Sequence, residues 1–310
     1  MFSGQGSHYY QMGKDLYANE PVFRDWMHIL DSMQGKISGE SLIDILYNSG
    51  NRKNEVFSRI LSTHPAIFMV EYSLAMLLKS WGIEPYCVFG TSLGEITAAV
   101  LAECIALEKA IELVILQATT IEKTCEKGGM IAVLHDHALY EREPVLHDNC
   151  SLAGINFDSH FVVSGSGTEL KTVKMYLKKN GITHQDLPVS YGFHSPNIDS
   201  ARNEFLAQDI IKNPGFPRID YISCLHGRRI EGFDNSYFWD VIRNPILFRE
   251  GLNVLLKEYN SCELMDLGPS GTLATFAKYN LQDTDRLRTM YILTPYGSES
   301  RNLRLLRETW

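Results

Sequence analysis

The chain has 310 residues, 45% hydrophobic and 21% charged, with a net charge of −8 and a sequence pI near 5.7. The length allows one large domain with an inserted subdomain, or two domains. The acidic balance argues against a nucleic-acid partner, which needs an excess of Lys and Arg on one face, and an acidic partner would need a local basic patch. Six cysteines, Cys87, Cys104, Cys125, Cys150, Cys224 and Cys262, are scattered without a CxxC and without a close histidine. Neither a zinc site nor a disulfide framework is expected, only buried free thiols. No apolar run approaches the ~18 residues that span a bilayer, and no basic-then-apolar leader opens the chain. The expectation is a cytoplasmic protein with no membrane partner.

In chain order, Met1-Phe2 reads as the end of a strand feeding a glycine turn, Ser3-Gly4-Gln5-Gly6-Ser7. That strand is short, as if residues were missing upstream. Residues 66–82, AIFMVEYSLAMLLKSWG, are apolar almost all round, which predicts a buried helix closed by Gly82. EPYCVFG predicts a buried strand, EITAAVLAE a close-packed helix, and residues 107–129 a long helix ending in glycines. Next come a strand at 130–134, a weak helix in ALYEREPVLH and a hairpin at 152–157 and 161–166. An amphipathic helix at 168–181 and a strand at 183–189 close this run. The β-α-β-β-α-β order is that of a ferredoxin-like unit of about sixty residues, inserted into a larger α/β domain. The expected division is 1–128 and 191–310 for the large domain, with 129–190 as the insert. A last strand, 263–269, precedes the helix SGTLATFAKY.

The chemistry concentrates at Gly90-Thr91-Ser92-Leu93-Gly94, a GxSxG between a strand and a helix. Glycines on either side permit a tight turn that lifts a serine hydroxyl to the sheet edge. Unpaired N–H groups at the helix start can hold an oxyanion there. The motif also occurs by chance as a plain strand-to-helix turn; the buried strand before it and the small-residue helix after it favour a nucleophile. Serine needs a base. Of ten histidines, His8, His28, His135, His137, His147, His160, His184 and His226 lie in polar or ordinary surroundings, where a solvated or structural reading is best. His194, in VSYGFHSPNID, stands where the chain re-enters the large domain, beside the cleft between subdomains. Position alone leaves it a candidate.

FSGQGSHYYQMGKDLY, THPAIFMVEYSL, GTSLGE, INFDSHFVVSG and YGFHS follow one another in the order and spacing of the malonyl-CoA:acyl-carrier-protein transacylases and polyketide synthase acyltransferases. The chain resembles that family over nearly its whole length. The resemblance implies an α/β-hydrolase-like core with a ferredoxin-like insert and the active site between them. It implies Ser92 as nucleophile, His194 as base, and the backbone N–H groups of Gln5 and Leu93 as the oxyanion hole. It also implies a backbone carbonyl in RNPILF, that of Leu247, as the group orienting His194. Asp158 lies between Ser92 and His194 in sequence, as a hydrolase triad would need, but the family pattern gives it no role.

Three departures bear on the substrate. Malonyl-specific members carry an arginine twenty-five residues past the serine, forked onto the free carboxylate; here the position is Gln117. Glutamine cannot make that charged fork, and an unpaired buried carboxylate costs ~3–5 kcal/mol. Unless a neighbouring Lys substitutes, the expected acyl group is neutral. Thr91 replaces the family's histidine, read as opening room in the acyl pocket. His64 replaces a glutamine, read as inert or as positioning a water. In the tetrad Tyr191-Gly192-Phe193-His194, Gly192 in place of the family's alanine also suggests space.

The chain is most similar to the stand-alone acyltransferase homologues that accompany polyketide synthases lacking built-in acyltransferases. The resemblance implies an acyl hydrolase that clears stalled short acyl groups from carrier proteins. The substrate carrier would be a phosphopantetheine arm or CoA, with no bound cofactor and no metal, the partners acyl carrier protein domains, and the protein a monomer. The alternatives are a transferase of non-carboxylated acyl groups, a non-catalytic carrier-protein-binding module and a general serine esterase.

Overall fold

The computed structural model describes residues 1–48, 50–281 and 287–309. The N-terminal part is helical: α1 (Lys14–Asn19), α2 (Pro21–Ser38) and α3 (Ile60–Ser80) precede the first strand, β1 (Cys87–Gly90). Then come α4 (Gly94–Leu101), α5 (Leu107–Thr124), β2 (Gly128–Val133), α6 (Ala138–Arg142), α7 (Pro144–His147), β3 (Ser151–Phe157), β4 (His160–Ser166), α8 (Gly167–Lys179) and β5 (His184–Asp186). The last part holds α9 (Arg202–Ala207), β6 (Asp220–Ser223), β7 (Arg228–Ile230), α10 (Tyr237–Arg243), α11 (Phe248–Glu258), β8 (Cys262–Asp266), α12 (Thr272–Asn280), β9 (Leu287–Tyr291) and α13 (Glu299–Thr309).

The all-apolar pattern of α3 is realised as burial on every side, from Ile60 to Leu78. Contrary to the expectation, one helix among the described residues is long and apolar enough to cross a membrane: α3, with a mean hydropathy of 1.3. Its 18-residue window is 83% buried inside the protein, so its composition matches a core position.

β1, β6 and β7 form one sheet, with β1 and β6 parallel from Cys87↔Asp220 to Gly90↔Ser223; β8 and β9 form a second, parallel pair. Met1 and Phe2 stitch the two together. Phe2 N–H donates to the Phe89 carbonyl (3.0 Å), and Leu267 N–H donates to the Met1 carbonyl (3.0 Å).

The inserted sheet is antiparallel with order β3-β4-β2-β5, the order of a ferredoxin-like unit. Period-two alternation gives it two buried faces. Ile131, Val133, Phe161 and Val163 pack on α8 through Leu170, Val173 and Leu177, while Met130, Ala132 and Val162 join the main core. A capping box starts α8: Ser166 Oγ accepts from Glu169 N–H (3.3 Å) and Glu169 Oε2 from Ser166 N–H (2.8 Å).

α5 ends at Thr124 rather than continuing to Gly129. Gly128 and Gly129 instead begin β2, paired with Ser166 and Gly165. A Cβ on Gly128 would lie 2.6 Å from the Gly165 carbonyl oxygen, so only glycine allows this approach.

Candidate active site

The sharp turn between β1 and α4 is built from absent side chains. A Cβ on Gly90 would fall 2.5 Å from the Gly94 carbonyl oxygen, and one on Gly94 would fall 2.2 Å from the Phe2 carbonyl oxygen. Between them Ser92 takes φ 54°, a left-handed conformation that a non-glycine residue holds only when its surroundings enforce it.

His194 also has a left-handed backbone, φ 60°. Its N–H donates to the Ile242 carbonyl (2.8 Å), tying it to the end of α10. Its Nε2 lies 2.9 Å from Ser92 Oγ and its Nδ1 2.8 Å from the Asn244 carbonyl oxygen. The carbonyl can only accept, so Nδ1 carries the hydrogen and Nε2 accepts from the serine hydroxyl. Burial pushes the His194 pKa down to about 4, against a small opposite pull from the Asn244 carbonyl. The ring is neutral at pH 7 and can take a proton.

The orienting carbonyl is therefore that of Asn244, correcting the expectation of Leu247. The Leu247 carbonyl already accepts from Gly251 N–H (3.1 Å) at the start of α11. Asn244 caps the C-terminus of α10, where the last carbonyls lack helical partners and attract N–H donors. The insert holds the segment that follows: Ile246 N–H donates to the Ala153 carbonyl of β3 (2.8 Å). The Arg249–Asp158 ion pair (2.7 Å) leaves the Asp158 side chain 90% exposed, and Asp158 takes no part in the relay.

The glycine turn brings Gln5 alongside. A Cβ on Gly4 would lie 2.8 Å from Ser92 Cβ, so the loop passes directly against the serine. Among the described residues, nothing accepts from the backbone N–H of Gln5 or of Leu93. The loop itself is braced. Ser7 Oγ–H donates to the Gly4 carbonyl (2.8 Å), and His8 Nδ1 accepts from Gly6 N–H (3.3 Å). His8 Nε2 donates to the Phe57 carbonyl (2.8 Å).

His64 braces the same loop through Nδ1. Gln5 Nε2 donates to Thr63 Oγ1 (2.7 Å) and to His64 Nδ1 (3.0 Å), and the His64 ring packs on Phe193. The Ile60 carbonyl lies 3.2 Å from the same Nδ1. One nitrogen cannot accept from the amide and donate to the carbonyl, and the shorter contact assigns Nδ1 as acceptor. Burial pushes the His64 pKa down to about 3.

Two buried glutamates tie these pieces together, and the motif reading gave neither a role. Glu71, on α3, accepts from Ser3 N–H (2.6 Å) and from Thr97 Oγ (3.0 Å), joining the glycine loop to α4; burial pushes its pKa up to about 8. Its sequence signal is a lone acid in an otherwise apolar helix. Glu95, in the first turn of α4, accepts from Tyr221 Oη (2.5 Å), Tyr237 Oη (3.0 Å) and Cys224 N–H (2.6 Å). Burial raises its pKa to about 7, those hydrogen bonds opposing.

Gln117 is buried on α5, and its Oε1 has no hydrogen-bond partner among the described residues. Thr91 is buried, with Oγ1 3.4 Å from the Phe2 carbonyl oxygen. Gly192 does not open the acyl pocket. A Cβ there would lie 3.0 Å from Asn197 Cβ and 3.1 Å from the Gly165 carbonyl oxygen, so the position faces packed protein. Tyr191 and Phe193 are buried edge to face. Lys127 reaches Tyr191, with Nζ 2.7 Å from its Oη.

The family described as acyl transferase domain matches residues 1–297. The polyketide biosynthesis acyltransferase homolog BaeD of Bacillus velezensis is 42% identical over 312 aligned residues, covering 100% of this chain and 95% of that protein. The homolog PksD of Bacillus subtilis is 40% identical, covering 98% of this chain and 93% of its own length. The acyltransferase domain from the second module of the salinomycin polyketide synthase superposes with a TM-score of 0.86 at 27% identity, covering 100% of this chain and 72% of that one.

Proposed function

The chain belongs to the acyl transferase family, and from that premise we propose that it acts on acyl thioesters borne by acyl carrier proteins in polyketide biosynthesis, hydrolysing short non-carboxylated acyl groups through an acyl-Ser92 intermediate. The observation that carries the chemistry is the chain of contacts from Ser92 Oγ through His194 to the Asn244 carbonyl. His194 Nε2 takes the Ser92 proton as Oγ bonds to the thioester carbonyl carbon. The negative oxygen is held by the free N–H groups of Gln5 and Leu93. The C–S bond breaks, and His194 returns the proton to the departing phosphopantetheine or CoA thiol. Water then gives a proton to His194 and attacks the acyl-serine, releasing the acid and restoring Ser92.

Gln117 supports the choice of acyl group. It offers no positive charge to a free carboxylate. Lys127, which contacts the tetrad, is held at Tyr191. A second reading, transfer to another carrier-protein thiol in place of water, draws on the names of the relatives, both called acyltransferase homologs. The neutral His194 against Ser92 disfavours a purely binding role.

The test is intact mass spectrometry of carrier proteins charged with acetyl, butyryl or malonyl groups, with an uncharged second carrier protein present and Ser92→Ala as control. Hydrolysis predicts free acid, with acetyl and butyryl lost faster than malonyl. Acyl groups reappearing on the second carrier protein would replace hydrolysis by transfer. Equal hydrolysis of a simple ester without a carrier protein would point to a general esterase.

A further inference from the structure

The carbonyl that aims His194 lies on a short segment, Asn244-Pro245-Ile246-Leu247, that joins α10 to α11. The sequence stiffens this segment. A residue ahead of proline is confined to extended backbone, and Asn244 sits at φ −94°, ψ 160°; its ψ sets where its carbonyl points. Pro245 has a ring-locked φ of about −65°. Asn244 is tied back to α10, its N–H and its Nδ2 each donating to the Asp240 carbonyl (2.9 Å for both). With that N–H fixed and the proline φ locked, few torsions remain to absorb a shift of Ile246 before it reaches the Asn244 carbonyl.

What holds Ile246 is the inserted unit. β3 is the edge strand of its sheet, with backbone groups left over on the side away from β4. Leu152 pairs with Val163 and Gly154 with Val162, so Ala153 is an extra residue without an opposite number on β4. Its carbonyl accepts from Ile246 N–H (2.8 Å), and Gly154 forms a parallel bridge with Ile246. The approach uses the room of an absent side chain. A Cβ on Gly154 would lie 3.0 Å from the Ile246 carbonyl oxygen and 3.2 Å from Ile246 Cβ. The φ of Gly154 is not left-handed, so what glycine supplies here is space.

Other contacts of the same strand lead elsewhere. Phe157 stacks on Tyr279, with ring centroids 4.5 Å apart, and the Asn156 carbonyl accepts from Asn280 Nδ2 (2.7 Å). Both partners belong to α12, not to the segment behind His194.

We propose that β3 of the inserted unit positions the base: the Ala153 carbonyl fixes Ile246 and, through Pro245, the Asn244 carbonyl that aims His194, while Gly154 is the positioning residue that keeps the approach open. The proposal rests on the reading of Ser92 and His194 as the reacting pair. It makes the insert a working part of the relay as well as one wall of the cleft.

The experiment compares Gly154→Ala and Gly154→Val with Phe157→Ala, which loosens the insert at α12 alone, each shown to be folded by circular dichroism. The first readout needs no substrate: exchange of the His194 Nδ1 hydrogen by NMR of ¹⁵N-histidine-labelled protein, the signal assigned by its loss in His194→Ala. Exchange is expected to quicken about tenfold in Gly154→Ala and further in Gly154→Val, with Phe157→Ala unchanged. The second readout is acid release from a butyryl-charged carrier protein. There kcat is expected to fall about tenfold in Gly154→Ala and further in Gly154→Val, with KM held to within about twofold. If Gly154→Val does not fold, Gly154→Ala decides. An unchanged His194 signal in the Gly154 variants would overturn the proposal. An equal change in Phe157→Ala would overturn it too, since any loosening of the insert would then suffice. Absence of acid release from the wild type would overturn the hydrolase reading alone, and the NMR comparison would still decide the positioning role.

Discussion

Around Ser92 the buried polar side chains are paired: His194 through both ring nitrogens, Glu95 through four donors, and the glycine loop through Ser7, His8 and Glu71. At Gln117 a buried amide oxygen has no partner among the described residues. A buried acceptor without a donor costs about 1–3 kcal/mol, so the two regions are built to different ends. The turn that carries Ser92 is held in a conformation its backbone would not choose, and that hold needs completed hydrogen bonds. The Gln117 side chain carries no charge, and its Oε1 has no protein partner among the described residues.

Breaking the paired region has the largest effects. Ser92→Ala and His194→Ala are each expected to lower the deacylation rate about 10⁴-fold, measured as acid released from a butyryl-charged carrier protein. Gly94→Ala places a methyl against the Phe2 carbonyl, where a Cβ falls 2.2 Å away. It is expected to destabilise the protein by roughly 3 kcal/mol or more, read from urea unfolding midpoints; a loss under 1 kcal/mol would mean the turn can relax.

The orphaned region is sharpened by giving it the missing charge. Gln117→Arg is expected to let malonyl-CoA load Ser92, seen as a malonyl adduct by intact mass on a variant shown by circular dichroism to be folded. Absence of the adduct would assign malonyl exclusion to another part of the pocket. The smallest effect expected is in the pH profile. His194, with its pKa lowered to about 4 by burial, is the base only when neutral. The rate should fall as pH drops through about 4 and stay level from about 5.5 to 7.5. An acid limb near the ordinary histidine value of about 6.5 would mean that the site is wet in solution.

What was legible in the sequence was what depends on local spacing. The elbow could be read because Gly90 and Gly94 are both sterically required within five residues. The inserted unit could be read because its strands and its amphipathic helix follow one another in β-α-β-β-α-β order within about sixty residues. The site's deeper supports were less legible. The carbonyl that orients His194 comes from backbone, which carries no residue-type signal. Leu247 was ruled out only once its carbonyl was seen to start α11. Glu71 meets Ser3 across sixty-eight positions, a distance no local pattern spans. Gly192 suggested space by its size, whereas the direction of its missing Cβ, toward Asn197, is a fact of the fold.

The most direct test of the central claim is to mix the protein with a butyryl-charged carrier protein, quench in acid within the first turnover, and map the adduct by peptide mass spectrometry. The expected result is a butyryl ester on Ser92 that decays to free acid in the absence of any thiol acceptor and does not form in Ser92→Ala. Release of acid with no adduct on Ser92 at any time, or at an undiminished rate in Ser92→Ala, would contradict it.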